Sequence, residues 1–595
     1  MSKSILVKTV RVKGFRGLKN IEVELQKTTV LTGMNNVGKT SFLKALQLSL
    51  GNRQFLSQDD FYINGNSVYN EIIIDILIVP IDEEGKQSKE FSEEWLELFT
   101  ESKMRFYNND FACVPLRTVV LSDSLANTIK TKQYILETWV DFMFGEEPKK
   151  NWYELDYKNN ISFKFDEIPF FYMDAKRDIL EDIKLKSSYI GKMLSNIEYS
   201  EDDIKDIEEK LEELNKTAVE KSDILTIVKE SLLELNSAMD SQGGGVELTP
   251  FTKKIRDLNK GLNINYGDST DSFLMEYHGM GTRSWSSLLT LKAFIELFKR
   301  NSEKNKTVFF PIVALEEPEA HLHPNAQKTL YSQIDTIVGQ KIISTHSPYI
   351  ASMAKLHEII NFYKKDNTVL AGRLNTELFK AEDIRKIERQ VINTRGEIFF
   401  SKCIVLFEGE TEEQALPIFF KKYFDKNHIE LGVDFIGVGG YGNYLPFMRF
   451  AENLQIPWFI FSDNDKKGTV KSSVEKQFTD SQSEREQNKC IIFLDDTFDF
   501  EKQLIDDGFQ DEIKKYLIES KVYTNNKHKE AQEPKDIEEI NSYSDNELYS
   551  KITNIKAQYA PIIAEKIVNS GKDLSQKIKK LFTELSQELE IEVAS

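Results

Sequence analysis

The stretch "GMNNVGKT", residues 33 to 40, constrains this chain more than any other. It fits the spacing G-x-x-x-x-G-K-[ST], with Gly33, Gly38, Lys39 and Thr40 at the fixed positions. Glycines at those places let backbone N–H groups curl around phosphate oxygens. The lysine then reaches the β and γ phosphates, and the hydroxyl of the last residue binds Mg²⁺. "TTVLTG" in front reads as a strand and "SFLKALQLSL" behind as a helix, which is the setting a P-loop needs. Asn36 and Ser41 fall inside the same cradle. The chain is thereby expected to be α/β, with ATP as a cofactor.

At 595 residues the chain is too long for one core, and about three domains are expected. Hydrophobic residues make up 40% and charged residues 29%, which describes a globular protein. The net charge of −19 argues against a surface coated in basic groups for nucleic acid. It leaves room for a local basic groove or for contact with DNA through metal ions. Cys113, Cys403 and Cys490 form no CxxC pair, so no zinc ribbon is signalled, and so few cysteines suit a reducing cytoplasm. The opening "MSKSILVKTVRV" alternates like a strand, without the apolar centre of a signal peptide. No apolar run approaches the ~18 residues of a membrane span.

Four segments are expected. Residues 1–175 and 246–395 form the two parts of one P-loop domain. Residues 176–245 form a helical insertion between them, and 396–595 form a second, smaller α/β unit. Within the insertion Ile204, Ile207, Leu211, Leu214 and Ala218 recur at steps of three and four, a helical seam and a possible dimerisation arm. "SQGGGVELTP" (241 to 250) ends it, since consecutive glycines do not continue a helix cheaply. "VFFPIVAL" (308 to 315) and the start of "QKIISTHSP" (340 to 348) read as buried strands, and "INTRGEIFF" (392 to 400) as a junction. "NKHKEAQEPKD" (526 to 536) reads as an exposed loop.

Two further stretches belong with the P-loop. "IVALEEPEAHLHP" ends a buried strand in Glu316 and Glu317. One carboxylate holds the Mg²⁺ shell, and its neighbour orients and deprotonates the attacking water. "STHSP" places His346 after the next strand, where it senses the γ phosphate. These residues resemble the ABC-type ATPases of the DNA-repair and chromosome-structure group. The resemblance makes His346 the switch histidine and Arg16, in "KGFRGLKN", an arginine that touches nucleotide. It also puts "GMGTRSW" (279 to 285) where the signature motif reaches across a dimer to the partner's ATP. Met280 stands where that motif usually has serine, and Arg283 where it often has glutamine, so slow hydrolysis or ATP acting as a clamp is expected.

After residue 400 three apolar runs each end in acids. "CIVLF" leads to Glu408 and Glu412, "WFIFS" to Asp463 and Asp465, and "CIIFL" to Asp495, Asp496 and then Glu501. In an open parallel sheet functional groups gather at the carboxyl ends of strands. Carboxylates gathered there repel one another, and divalent cations relieve the repulsion. Oxygen-only ligands suit Mg²⁺ or Mn²⁺. Two such ions, about 3.5–4 Å apart, serve phosphodiester cleavage. The spacing E-x-x-x-E followed by D-x-D resembles the Toprim domain, in which Glu408, Asp463 and Asp465 would hold metal.

An ABC-type ATPase followed by a Toprim domain resembles the OLD (overcoming lysogenisation defect) family of nucleases, and the resemblance covers nearly the whole chain. It is strongest in "GEIFFSKCIVLFEGETE". It implies Glu412 and Glu501 as ligands of a second metal, and Lys572, in "SGKDLSQKI", as the group that steadies the scissile phosphate. Some members carry a further acid shortly after Glu501. Gln503 and Ile505 occupy those positions here, which leaves Asp495, Asp496 and Asp499 as substitutes. The turn "GVGGYGN" (437 to 443) either brings backbone close to phosphate or metal or is structural.

The expectation is an ATP-regulated, divalent-metal-dependent DNA endonuclease of prokaryotic antiphage defence, cytoplasmic and a homodimer or higher homo-oligomer through its ATPase region. Some members of the family act alone, others, such as those of the Gabija system, work with a helicase-like partner, and others accompany retrons, so the resemblance leaves a helicase-like or other defence-system partner open. The alternative is a DNA-repair ATPase scaffold whose Toprim domain does not cleave.

Overall fold

The structure is a computed structural model. It describes residues 4–51, 56–65, 67–108, 110–123, 128–145, 148–158, 160–180, 200–223, 225–226, 265–266, 273–277, 279–376, 379–389, 396–553 and 556–591. The amino-terminal part opens with an antiparallel sheet. Its long strands Ser4–Phe15, Leu18–Glu24, Glu71–Ile81, Phe111–Asp123 and Thr128–Ile135 pair in sequence along the edge-to-edge order, the first lying between the second and third. Inside this sheet Arg117 meets Asp75 through two bonds of 2.7 Å, with both side chains fully buried.

The P-loop belongs to a second sheet. Its strands are β1 (Thr28–Gly33), β2 (Phe170–Met173), β3 (Ile312–Glu316), β4 (Gln340–Ser344), β5 (Ile359–Lys365) and β6 (Thr368–Arg373). They lie in the order β2-β3-β4-β1-β5-β6, parallel except for the hairpin partner β6. The inner strands are near-continuous apolar runs because both faces of a parallel sheet are covered. Helix α1 (Lys39–Leu50) follows the P-loop, and the long helix α2 (Met280–Asn305) starts at Gly279. "GMGTRSW" thus forms a loop end and the first turns of α2.

The third sheet is the smaller unit. Its strands β7 (Cys403–Phe407), β8 (Val433–Gly437), β9 (Trp458–Ser462) and β10 (Ile491–Phe493) are all parallel, in the order β8-β7-β9-β10. Three of them are the apolar runs of the sequence. The edge strand β8 was not among those runs, because Asp434 interrupts the pattern of "VDFIG". Helices α3 (Pro348–Met353), α4 (Glu410–Phe424), α5 (Phe500–Asp506) and α6 (Lys556–Asn569) complete the parts that matter below. One continuous apolar core runs from Leu315 and Ile343 of the second sheet, through Ile398 and Phe399, to Val405 and Ile460 of the third. The two units are therefore packed onto each other rather than strung on a linker.

Two expectations are corrected. Residues 526 to 536 are not a loop but most of a helix, Asn526–Asn541. Asn525 caps it by accepting a bond from the His528 N–H. Asp536 is buried, with Tyr523 Oη at 3.1 Å, and so anchors the helix despite Pro534. In the insertion the described helix Glu201–Glu220 buries Asn215 and Val219, while Leu214 stays 49% exposed, so the seam leaves Leu214 out. The stretch 241 to 250 and the first part of the junction, 392 to 395, lie outside the described residues.

Candidate nucleotide and metal sites

Gly33 ends β1 at φ 119, and a Cβ there would run into the Phe362 carbonyl oxygen. Asn36 (φ 60) and Gly38 (φ 91) also take left-handed backbone, which turns the loop back into α1, where Ser41 lies in the first turn. Lys39 is buried, and its Nζ donates to the carbonyls of Gly33 (2.7 Å) and Met34 (2.9 Å). Burial lowers its pKa to about 8, against the pull of Glu317 and Glu319. Thr40 Oγ1 donates to Glu316 Oε1 at 2.5 Å, so the two residues assigned to the Mg²⁺ shell already touch. Tyr172 donates to the other oxygen of Glu316.

Glu317 follows at φ 42, and its carboxylate stands 3.7 Å from His346 Nε2. Burial, then Lys39, pushes the His346 pKa down to about 4, which keeps the imidazole neutral at physiological pH. Glu319 is not among the candidate residues of the sequence, yet it organises the loop after β4. Its Oε1 accepts from Thr345 Oγ1 (2.6 Å), His346 N (2.8 Å) and Ser347 N (3.1 Å). Arg16 (φ 49) pairs with Asp60 at 2.9 Å. Arg283 pairs with Asp178 at 2.9 Å and donates to Met280 Sδ at 2.7 Å, so both unusual residues of "GMGTRSW" have partners within the chain.

The acids of the third sheet lie at its carboxyl edge, as the register requires. Leu406 pairs with Ile460 and Ser462 with Phe493, which brings Glu408 beside Ser462. Glu408 accepts from Ser462 Oγ and from the Tyr441 N–H, each at 3.0 Å. The glycine turn 437 to 443 thus holds the first candidate ligand through its backbone. Glu412 is buried in the first turn of α4. Asp463 lies among Glu412, Glu408, Asp499 and Glu501. Burial first, then those four charges, raises its pKa to about 10. Its Oδ1 is buried without a hydrogen-bond partner. Asp465 is exposed at the rim.

Glu501, 1% exposed, sits on α5 and accepts from Thr411 Oγ1 (2.9 Å) and Tyr559 Oη (2.5 Å) on one oxygen, Oε1. Asp499 caps α5 through the Lys502 N–H at 3.0 Å and accepts from Tyr549 Oη at 2.7 Å. The other candidate substitutes are engaged elsewhere. Asp495 binds Lys577 (2.8 Å) and Gln503 (3.0 Å), and Asp496 binds Asn464 (2.8 Å). Lys572 does not reach these acids by any bond described. It donates to the Gly508 carbonyl and to Glu512, both at 2.9 Å. Among the described residues no three acidic, histidine or cysteine side chains are arranged to grip one ion. Glu408, Asp499 and Glu501 each already accept from donors of the chain. An orphaned oxygen on Asp463 amid four like charges is nonetheless the donor chemistry that a divalent cation satisfies.

The two sites lie on opposite sides of the third sheet. A cleft of about 1410 Å³ is lined by Gly33, Met34 and Asn35 of the P-loop and by Lys402 and Trp458 at the amino edge of that sheet. The acids occupy the carboxyl edge, one five-residue strand or about 16 Å away. Between them runs a packed path. The helical turn Gly396–Phe400 leads into β7, the ring of Phe400 lies 6.3 Å from that of His346, and a Cβ on Gly396 would stand 2.5 Å from the Pro348 carbonyl oxygen.

A profile described as AAA ATPase domain matches residues 6–351. A second, described as Overcoming lysogenization defect protein-like, TOPRIM domain, matches residues 399–465. The uncharacterized protein YbjD of Escherichia coli (strain K12) is 26% identical over 31% of this chain, which spans about a third (34%) of that protein's length. The Old nuclease of Escherichia phage P2 is 24% identical over 78% of each chain. Endonuclease GajA of Bacillus cereus (strain HuB5-5) is 23% identical over 82% of this chain and 78% of its own. Among the described residues no helix is long and apolar enough to cross a membrane.

Proposed function

The chain belongs to the AAA ATPase domain family and joins that domain to an OLD-like TOPRIM domain, the architecture of the OLD family; from that premise we propose that it is a divalent-metal-dependent DNA endonuclease under nucleotide control, acting in antiphage defence. One observation carries the nuclease reading. Acids that follow β7 and β10 surround Asp463, which follows β9 and whose buried Oδ1 lacks a partner, at the edge of a parallel sheet where ligands bind.

Glu408, Asp463 and Asp465 would hold one Mg²⁺ or Mn²⁺, and Glu412 and Glu501 a second. When bound, the two ions activate water and stabilise the leaving oxygen of a phosphodiester. The chain's own residues prepare the site. Ser462 and the Tyr441 N–H orient Glu408, and Thr411 and Tyr559 fix one oxygen of Glu501. Lys572, released from Glu512, is assigned to the scissile phosphate. In the ATPase half Lys39, Thr40 and Glu316 hold ATP with its Mg²⁺, Glu317 positions water, and His346 and Arg16 touch nucleotide. Dimerisation through the ATPase domain brings the "GMGTRSW" turn to the partner's nucleotide. The same reading is open to action alone or with a helicase-like or other defence-system partner, and ATP is taken to restrain cleavage.

The test is nicking of plasmid DNA by the purified chain in Mg²⁺, in Mn²⁺ and with chelator. Cleavage that appears with either metal and stops with chelator is expected. Cleavage that survives at wild-type rate after Asp463→Ala with Asp465→Ala would sink the metal assignment.

A further inference from the structure

Glu501 is a buried carboxylate with an uncommon setting. Three helices meet on it: α5 carries it, α4 supplies Thr411, and α6 supplies Tyr559. All three side chains are nearly inaccessible, at 1%, 4% and 1% exposure. Both hydroxyls bond the same oxygen, Oε1. A carboxylate removed from water is costly unless it is hydrogen-bonded, and these two bonds hold Glu501 in place. Both of these donors are neutral hydroxyls, and the carboxylate they hold bears on Asp463.

Thr411 is also the residue immediately before Glu412 on α4, and α6 packs along α4. One carboxylate oxygen therefore ties Glu501 to the helix turn that presents Glu412. The distance between these two acids is set by hydroxyl bonds rather than by the sheet.

We propose that Tyr559 and Thr411 are positioning residues that fix Glu501 relative to Glu412 and thereby form the second divalent-cation site. This rests on the nuclease reading above. Partners that orient ligands, without touching the ion themselves, commonly set affinity as strongly as the ligands do. The helical segment carrying Tyr559 lies about 150 residues after Glu408 and well outside the matched TOPRIM region, 399–465. The carboxyl-terminal helices are in this account a wall of the metal site.

The experiment compares the full chain with Tyr559→Phe, Thr411→Val and Thr411→Ser. The first two remove only a hydroxyl with little change of shape, and the third restores one. Mn²⁺ alone is titrated into chelator-stripped protein, with free Mn²⁺ read by electron paramagnetic resonance. Plasmid cleavage is measured over the same concentrations. Tyr559→Phe and Thr411→Val are each expected to raise the Mn²⁺ needed for half-maximal cleavage about tenfold or more, with the rate at saturating Mn²⁺ recovering to within about threefold. The weaker Mn²⁺ is lost from the binding curve in parallel, and Thr411→Ser behaves as wild type. A purely structural role would lower thermal stability equally with and without Mn²⁺ and leave the Mn²⁺ requirement unchanged, and that result overturns the proposal. Should Tyr559→Phe fail to fold by circular dichroism, Thr411→Val decides alone. A wild-type chain that cleaves in neither metal removes the nuclease reading, while the Mn²⁺ binding curves still judge the positioning of Glu501.

Discussion

The nucleotide site and the acid site are built on opposite electrostatic plans. At the first, unlike groups compensate one another. Lys39 is satisfied by two carbonyls of its own loop, and Thr40 already touches Glu316. At the second, like charges are collected. Glu408, Glu412, Asp499 and Glu501 all bear on Asp463, and Glu408, Asp499 and Glu501 accept from hydroxyls and backbone amides. A compensated site can be rigid by itself. A same-sign site depends on donors contributed by distant segments, and its geometry is open to displacement from outside. In the proposed function the P-loop would be the rigid half that senses nucleotide, and the acid edge the part that a small movement disturbs.

The largest effect expected is loss of the acid edge alone. On the proposed assignment, Glu408→Ala, or Asp463→Ala with Asp465→Ala, lowers plasmid cleavage by about a thousandfold or more, because these residues would be the first ligands of the cations. ATP binding, followed with a fluorescent nucleotide, stays within about twofold, since its ligands belong to another domain. The reciprocal change, Lys39→Ala, weakens ATP hydrolysis by about a hundredfold and leaves DNA cleavage without ATP in place. Glu501→Ala costs cleavage about tenfold, less than Glu408→Ala, with Asp499 as the neighbouring acid that remains. Gly396→Val forces a side chain against the Pro348 carbonyl. It is expected to leave cleavage without ATP within about threefold and to shrink the response to ATP. The smallest effect concerns protons. His346 has its pKa depressed to about 4, so it is uncharged throughout the neutral range. His346→Gln then changes the rate of ATP hydrolysis without changing the shape of its profile between about pH 6 and about pH 8.

The same contrast governs what the sequence made legible. The P-loop is contiguous, so its eight residues announce strand, turn and helix together. Glu316, Glu317 and His346 are legible for the same reason, each ending a short apolar run. The strand-end acids could be found one by one from the apolar runs before them. Their holders could not. Tyr559 and Tyr549 come from helices whose own pattern explains them as ordinary core or surface residues, and only tertiary packing brings them to Glu501 and Asp499. Glu319 lay in plain view within "EEPEAHLHP", but its role needs the backbone of residues 345 to 347, which no spacing encodes. The edge strand Val433–Gly437 was hidden by Asp434, and the helix Asn526–Asn541 by its polar composition and Pro534. Lys572 follows the family's pattern in sequence, while its bond to Glu512 is a fact of three dimensions.

The central claim is that the nucleotide state of the P-loop domain reaches the acid edge through the packed path His346, Pro348, Gly396 and Phe400 into β7. A ligand biases such a path only by binding one arrangement better than another. Its most direct test is cleavage of one DNA substrate by wild type, Lys39→Ala and Glu317→Gln, with and without ATP at fixed free Mg²⁺. A coupling energy of ~1–3 kcal/mol predicts that ATP slows the wild type roughly fivefold or more, has no effect on Lys39→Ala, and holds Glu317→Gln persistently in the slow state. An ATP effect below about twofold on the wild type, with nucleotide binding demonstrated in the same samples, would contradict the claim.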